Sequence, residues 1–358
     1  MKTYIKFLLS LYSSSLLKIF FLFFIIILTS NILEEIEFFK DKDVNFSYPI
    51  LLSFLNAPSV IFEIFPFIFL ISTQFFFIKL IDSNELQIFK YSGLTNHKVV
   101  KIISLFTFIL GVFVIIFYYS LSSLLKGEYL KIKNTYTKDN KYLAVINGNG
   151  LWIKDTIGDK INIINANKIN NEFLSEVIIM QFNKKFDLIR TIESQSINIE
   201  SYQWDLQNLT VFEDNISKKL DQMYLKTNFD LKKINSLFSN LSSLSIFDLI
   251  ELRKNYKFLN YSLTEIDSHF NKIISYPIYL TLITVLTSII MFNIRFQKNS
   301  LYRIVLGIFL SVIIYYITSF FNVLGVSEKI PLFLSVWLPL IILLILNYLI
   351  SKRVKTVE

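Results

Sequence analysis

The chain alternates between long stretches without charge and stretches of ordinary polarity, and the points where charges stop and restart mark its elements. Uncharged apolar runs fill 19–33, 64–78, 102–125, 273–294, 304–327 and 330–351. Runs of this kind read as helices crossing a bilayer, whose hydrocarbon core of roughly 30 Å takes about 20 helical residues. The second helix starts before residue 64, because Glu63 lies just ahead of Pro66, where a helix is still near the interface. Ahead of the first run, Thr3 to Ser15 mixes Tyr, Phe and Leu with Lys and Ser, and reads as an interfacial elbow helix on the membrane surface.

Between the third and fourth runs the pattern changes to short alternating stretches separated by Asn, Gly, Asp and Lys, the period of β-structure. Candidate strands are 142–146, 151–154, 161–164, 177–182, 186–192, 196–201 and 209–212. Asn147-Gly148-Asn149-Gly150 joins the first two as a hairpin. Their number and spacing favour an antiparallel sandwich or jelly roll. Two amphipathic helical stretches follow, 245–253 and 263–274, the second leading directly into the fourth span. The expected architecture is an α-helical integral membrane protein of six spans, three and three, with an inserted all-β domain. Residues 1–125 hold helices one to three, 126–270 the β-domain and amphipathic helices, and 271–358 helices four to six.

Loop charge orients the spans, since Lys and Arg flanking membrane helices stay cytoplasmic. Lys2, Lys6 and Lys18 precede helix one, and Lys79, Lys90, Lys98 and Lys101 separate two from three. Arg295, Lys298 and Arg303 separate four from five, and Lys352, Arg353 and Lys355 follow six. The loop after helix one is acidic instead, with Glu34, Glu35, Glu37, Asp41 and Asp43 outweighing Lys40 and Lys42. Both termini are therefore expected inside and the β-domain outside. Helix one has a basic start but no small-residue cleavage site after it, so it reads as an uncleaved span.

Composition narrows the chemistry. The 358 residues are 53% hydrophobic and 18% charged, too few charges for a soluble globular chain. With no cysteine and two histidines, disulfide and thiol chemistry and most zinc or haem sites drop out. His97 and His269 lack ligand spacing and read as interfacial polar residues. No phosphate-binding loop of the G-x-x-x-x-G-K-[ST] type occurs, so this chain hydrolyses no ATP by that route. Asp and Glu are missing from the middle of the spans, which argues against an ion relay, and Glu63 reads as structural near the membrane surface. The net charge of +8 is accounted for by cytoplasmic lysines and does not suggest nucleic acid.

One cytoplasmic stretch stands out, Ile81 to Gly93. Asp82 fits an N-cap with Glu85 at the third helical position, Ile81 and Leu86 fit a hydrophobic staple, and Gly93 fits a C-terminal stop. The pattern predicts a helix over about 83–92, on the order of 15 Å long. Leu86 and Phe89 fall on one face beside Glu85 and Lys90. Such a helix either lies on lipid or docks into a groove of a cytoplasmic motor protein.

Three tracts together resemble the lipopolysaccharide-export permeases, the LptF/LptG family. Asn84-Glu85-Leu86-Gln87-Ile88-Phe89-Lys90-Tyr91-Ser92-Gly93-Leu94-Thr95 is similar to that family's coupling helix, S-E-L-x-x-x-[RQ]-A-S-G-[VF]-[ST]. Asn149-Gly150-Leu151-Trp152-Ile153-Lys154-Asp155 is similar to the G-L-W-x-[KR]-D-G of the LptG half, and Trp337-Leu338-Pro339 to a W-L-P on the last helix. Pro58, Pro66, Pro277 and Gly307 also fall where the family places theirs. The resemblance implies a half-permease, most like LptG, in a bacterial inner membrane. It would pair with an LptF-like half, sit on an LptB-like ATPase dimer that uses ATP and Mg, and associate with LptC-like and LptA-like periplasmic jelly-roll proteins. The chain itself would bind no cofactor and catalyse nothing. Its cargo would be lipopolysaccharide drawn from the membrane.

Carried onto this sequence, the coupling residues would be Asn84, Glu85, Leu86, Phe89, Lys90 and Gly93. Glu85 would make charge contacts with the ATPase, and Leu86 and Phe89 would fill its groove. Helices one and five would line the lipid cavity and its lateral gate. Ile161, Ile163, Ile179 and Leu188 would face acyl chains inside the jelly roll. Glu34, Glu35 and Lys40 mark the end of helix one where the family carries lysines suited to lipid A phosphates. Divalent-cation bridging, or a lipid with fewer phosphates, would reconcile that acidic end. Lys90 and Tyr91 also depart from the usual coupling-helix residues. Alternatives are the LptF-type half of the same complex and a membrane-anchored periplasmic binding or sensor protein. A four-span permease of the lipoprotein-releasing or mechanotransmitting type does not fit three plus three.

Overall fold

The computed structural model describes residues 3–42, 44–136, 151–170, 172–213, 216–231, 233–234, 240–258, 261–292 and 300–355. They form two compact units, one of residues 1–125 and 264–358, the other of residues 126–263.

Among the described residues six helices are long and apolar enough to cross a membrane. Helix α1 (Thr3–Phe39) is followed by α2 (Ser47–Asp82) and the short α3 (Glu85–Tyr91). Then α4 (Asn96–Phe113) passes through a six-residue π-helical segment, Val114–Tyr119, into α5 (Ser120–Thr135). After the second unit come α7 (Thr264–Phe292), α8 (Ser300–Val326) and α9 (Leu332–Lys355). The expected elbow is not a separate helix. Residues 3–15 are the first turns of α1, because nothing after Ser15 interrupts the backbone ladder and Leu8, Leu11 and Tyr12 are buried in protein. The stretch 263–274 likewise opens α7 rather than standing apart.

Helix α2 is the hub, with 61% of its apolar window buried against 17% for α1 and for α8. Phe65, Phe69 and Ile61 of α2 pack with Ile19 and Ile27 of α1, Val114, and Leu280 of α7. The buried Tyr12 hydroxyl shares hydrogen bonds with Thr73 Oγ1 (3.3 Å) and Thr107 Oγ1 (3.2 Å), tying α1, α2 and α4 together. A Cβ on Gly111 would stand 2.8 Å from Pro277 Cα, so its absence lets α4 and α7 touch backbone to backbone. On the outer face of α8, Val305, Phe309, Val312, Tyr316, Phe320 and Val323 form an exposed stripe at helical spacing.

The second unit carries one antiparallel sheet in the order β1-β2-β3-β4-β5-β6. The strands are β1 (Leu151–Ile157), β2 (Lys160–Asn170), β3 (Phe173–Phe182), β4 (Leu188–Asn198), β5 (Gln203–Glu213) and β6 (Ile216–Lys226). "Jelly roll" is an approximate description, since every described strand pairs with its sequence neighbours. The stretches 186–192 and 196–201 are one strand, β4, because Ser194 stays in the ladder opposite Val177 and Leu209. Strand β6 is mostly exposed and so lacks the buried face that an alternating pattern would reveal. The strand expected at 142–146 and the turn at 147–150 lie outside the described residues. Past the sheet, the Trp204 indole donates to the Phe229 carbonyl (2.8 Å). A surface helix, α6 (Ile246–Phe258), buries Leu249 and Leu252.

Candidate functional site

The chain leaves α2 through Ser83, whose N–H and hydroxyl both donate to the Lys79 carbonyl (3.1 and 2.7 Å). Asn84 then adopts φ 57°, a left-handed conformation that asparagine tolerates better than most residues, and its carbonyl accepts from Gln87 (3.1 Å) to start α3. The N-cap is therefore Asn84 and not Asp82, which is still in α2. With only seven residues, α3 is about 10 Å long. Its end matches expectation closely. Gly93 at φ 78° lets its N–H reach the Lys90 carbonyl (3.0 Å) and the Leu94 N–H reach that of Phe89 (2.9 Å), the paired bonds of a Schellman stop.

The faces of α3 differ from the sequence reading. Leu86 is buried in one cluster with Leu8, Leu11, Tyr12, Phe76, Phe77 and Leu80, and Phe89 packs against that cluster with its ring 5.8 Å from that of Phe7. Both therefore clamp α3 to its own core and are not the apolar surface offered outward. That surface is Ile88, 59% exposed, and Tyr91, 90% exposed, beside solvated Gln87 and Lys90. Pattern alone placed the apolar residues on one face without saying what the face meets. Glu85 is half-buried, and its Oε2 is covered without a hydrogen-bond donor. Its place in the first turn, with Lys90 in the last, suits the helix dipole.

At the far end of α1, Glu34, Glu37 and Lys40 are exposed, but Glu35 is fully buried, on the same face as buried Asn31 one turn earlier. Glu35 thus faces protein and offers no surface contact to lipid.

In the sheet, the pairing decides which side chains share a face. One buried row runs Ile153–Ile164–Ile179–Ile192–Val211 across β1 to β5, and the next runs Leu151–Ala166–Val177–Ser194–Leu209. Ile161 pairs with Phe182 and Ile163 with Met180, one residue out of step, so both lie on the opposite face from Ile179. Leu188 is exposed. The four residues expected to share an acyl-chain surface are thus split.

The third row on the buried face is polar: Asp155–Asn162–Gln181–Arg190. Arg190 Nε donates to Gln181 Oε1 (2.5 Å) and Gln181 Nε2 to Asn162 Oδ1 (2.8 Å). Asp155, fully buried, accepts from Thr227 Oγ1 (2.8 Å), Asn228 Nδ2 (2.8 Å) and the Asn228 N–H (3.2 Å), which fastens the chain beyond β6 to β1. Tyr261 holds the next residue: its hydroxyl accepts from the Lys154 N–H (3.1 Å) and donates to the Lys154 carbonyl (3.3 Å). Burial, reinforced by the nearby Asp155 charge, pushes this phenol up to about 12 against the pull of the Lys154 backbone bond. These four polar residues are far apart in sequence, and only strand register brings them into line.

A model of the family described as lipopolysaccharide export system permease LptF/LptG matches residues 6–353. No curated protein matches the chain.

Proposed function

This chain belongs to the LptF/LptG family of lipopolysaccharide export permeases, and on that premise we propose that it is the LptG-type half of an ATP-driven exporter. It is a multi-pass subunit of the inner membrane. In the proposed reading it pairs with an LptF-like half, and an LptB-like ATPase dimer uses ATP and Mg while this chain binds neither. Lipopolysaccharide leaves the membrane for LptC-like and LptA-like carriers. The Gly-Leu-Trp-x-Lys-Asp tract supports the LptG assignment. Termini and α3 are cytoplasmic and the sheet periplasmic, a reading supported by Lys79, Lys90, Lys98 and Lys101 around α3.

The observation that carries the reading is the construction of α3. A helix wedged between two spans, pinned by Leu86 and Phe89 and stopped at Gly93, moves with the membrane helices rather than sliding over them. The ATPase would supply an apolar recess for Ile88 and Tyr91 and a cation at the part of the half-buried Glu85 carboxylate that is still accessible. In the sheet, acyl chains would have to reach the buried row of Ile153, Ile164, Ile179 and Ile192 by displacing what covers it, and the polar row at Asp155 would end their path.

The test is co-purification of the ATPase with Glu85→Ala and with the pair Ile88→Ala and Tyr91→Ala. Loss of the ATPase and of ATP-driven lipid release is expected in both. Full recovery and unchanged release in both would remove the coupling role.

A further inference from the structure

Between α1 and α2 lies an open groove of about 500 Å³. Its lining combines apolar Ile19, Phe75 and Ile78 with polar Ser14, Lys18, Lys79 and Asp82. The lysines fall at a defined height. Lys18 is the last charge before the uncharged run of α1, and Lys79 is the first charge after that of α2, so both ammonium groups mark the same membrane surface. Phe75 lies one turn from Lys79 on the hydrocarbon side, and Ile19 is the first residue past Lys18.

Neither lysine is consumed by the protein. Both are exposed, and no salt bridge joins either to Asp82 or to another acid among the described residues. Two cations and one anion thus converge on a recess that also has a greasy lining, at the depth where phosphates meet acyl chains. A free anion would satisfy the lysines and leave the apolar wall unused. A chain terminus or partner helix would satisfy the wall and leave the lysines uncompensated.

We propose that this groove binds a glycerophospholipid of the phosphoethanolamine class. The phosphate diester lies between Lys18 and Lys79, the headgroup ammonium lies against Asp82, and an acyl chain runs along Ile19, Phe75 and Ile78. The lipid is a resident of the leaflet on the side of α3, not the exported cargo. It would bridge α1 to the last turn of α2, the turn from which α3 departs. The inference rests on the spans and not on what the complex exports, so it stands or falls apart from the transport reading.

The test is native mass spectrometry of the full-length protein, in the complex it purifies with, released from detergent after equilibration with phosphatidylethanolamine, phosphatidylglycerol or inorganic phosphate. Expected is a bound phosphatidylethanolamine whose occupancy falls about tenfold or more in Lys18→Gln/Lys79→Gln, two basic residues at a phosphate surface each contributing about 1 kcal/mol. Lys18→Arg/Lys79→Arg should restore it, which separates lost charge from lost folding. Asp82→Asn should erase the preference for phosphatidylethanolamine over phosphatidylglycerol. Unchanged lipid occupancy in the glutamine variant would overturn the site. Inorganic phosphate displacing the lipid would show an anion site instead, and phosphatidylglycerol binding equally well to the parent protein would overturn the headgroup assignment.

Discussion

Replacing Asp155 with alanine should unfasten the sheet where its polar row begins. The carboxylate is fully buried and accepts three hydrogen bonds, from Thr227 Oγ1, Asn228 Nδ2 and the Asn228 N–H. A hydrogen bond to a charged group contributes about 1.5–3 kcal/mol net, and removing the acceptor also strands buried donors. The three bonds share one acceptor and two neighbouring residues, so they do not add. A loss of about 3–5 kcal/mol follows, one such bond lost together with the desolvation cost of the donors left stranded. At about 1.4 kcal/mol per factor of ten, local opening of β1 should become more frequent by over a hundredfold. Hydrogen exchange of the full-length protein in micelles, read by mass spectrometry, measures this directly. Peptides covering β1, β2 and 227–229 should lose protection by that factor while those of α2 and α7 keep theirs. Asp155→Asn keeps the shape but turns one acceptor into a donor facing Asn228 Nδ2, so it should cost less, about 1–2 kcal/mol. Unchanged protection in the alanine variant, or a larger effect from asparagine, would refute the clasp.

Gly111→Ala would press a methyl onto the Pro277 backbone, and overpacking of that kind costs about 1–3 kcal/mol. Gly307→Ala meets only the far end of the Gln74 side chain, so thermal unfolding in detergent should show the larger drop for Gly111. The folded-state rise of the Tyr261 phenol favours its neutral form, so its contribution to stability is present below pH ~10 and lost as pH rises towards ~12. Among 19 tyrosines the step is seen by difference: the phenolate absorbance titration of Tyr261→Phe should lack one group near 12, and that variant should lose less stability across the same window. A reporter fused after Asn149 should read as periplasmic and one after Tyr91 as cytoplasmic; the reverse pair would invert the proposed orientation.

Six spans were legible because charge is expensive in hydrocarbon, so its absence outlines each helix. Helix ends were not, because backbone bonding continues past the bilayer surface: α1 runs on both sides of its apolar run, from Thr3 to Phe39. Gly93 could be read as a stop since its left-handed φ has few other owners, whereas Asp82 and Asn84 are both fair caps and only the length of α2 chooses between them. The direction of Leu86 was beyond the pattern, because a lipid, a partner and the protein's own core all select the same apolar face. Glu35 and Asp155 show the same limit for acids. Each is charged and near a polar segment in the sequence, yet both are sealed inside. Which face of each strand points inward was not legible: Ile161 and Ile163 sit one residue out of step with Ile179, and one residue is enough to reverse a strand's sides.

The π-helical segment Val114–Tyr119 makes this part of the chain sensitive to length more than to identity. A π turn holds one residue beyond an α turn. Gly111, seated on Pro277, and Tyr119, hydrogen-bonded to His269 Nε2 at 3.0 Å, are eight residues apart, as are their two partners on α7. Wound as a regular α-helix, these eight residues would turn about 100° further and carry Tyr119 away from His269, so it is the π segment that keeps both contacts at this separation. Most apolar substitutions there would leave both contacts in place. The spacing between two fixed points on a neighbouring helix, and not the side chains along it, is what this stretch of sequence has to preserve.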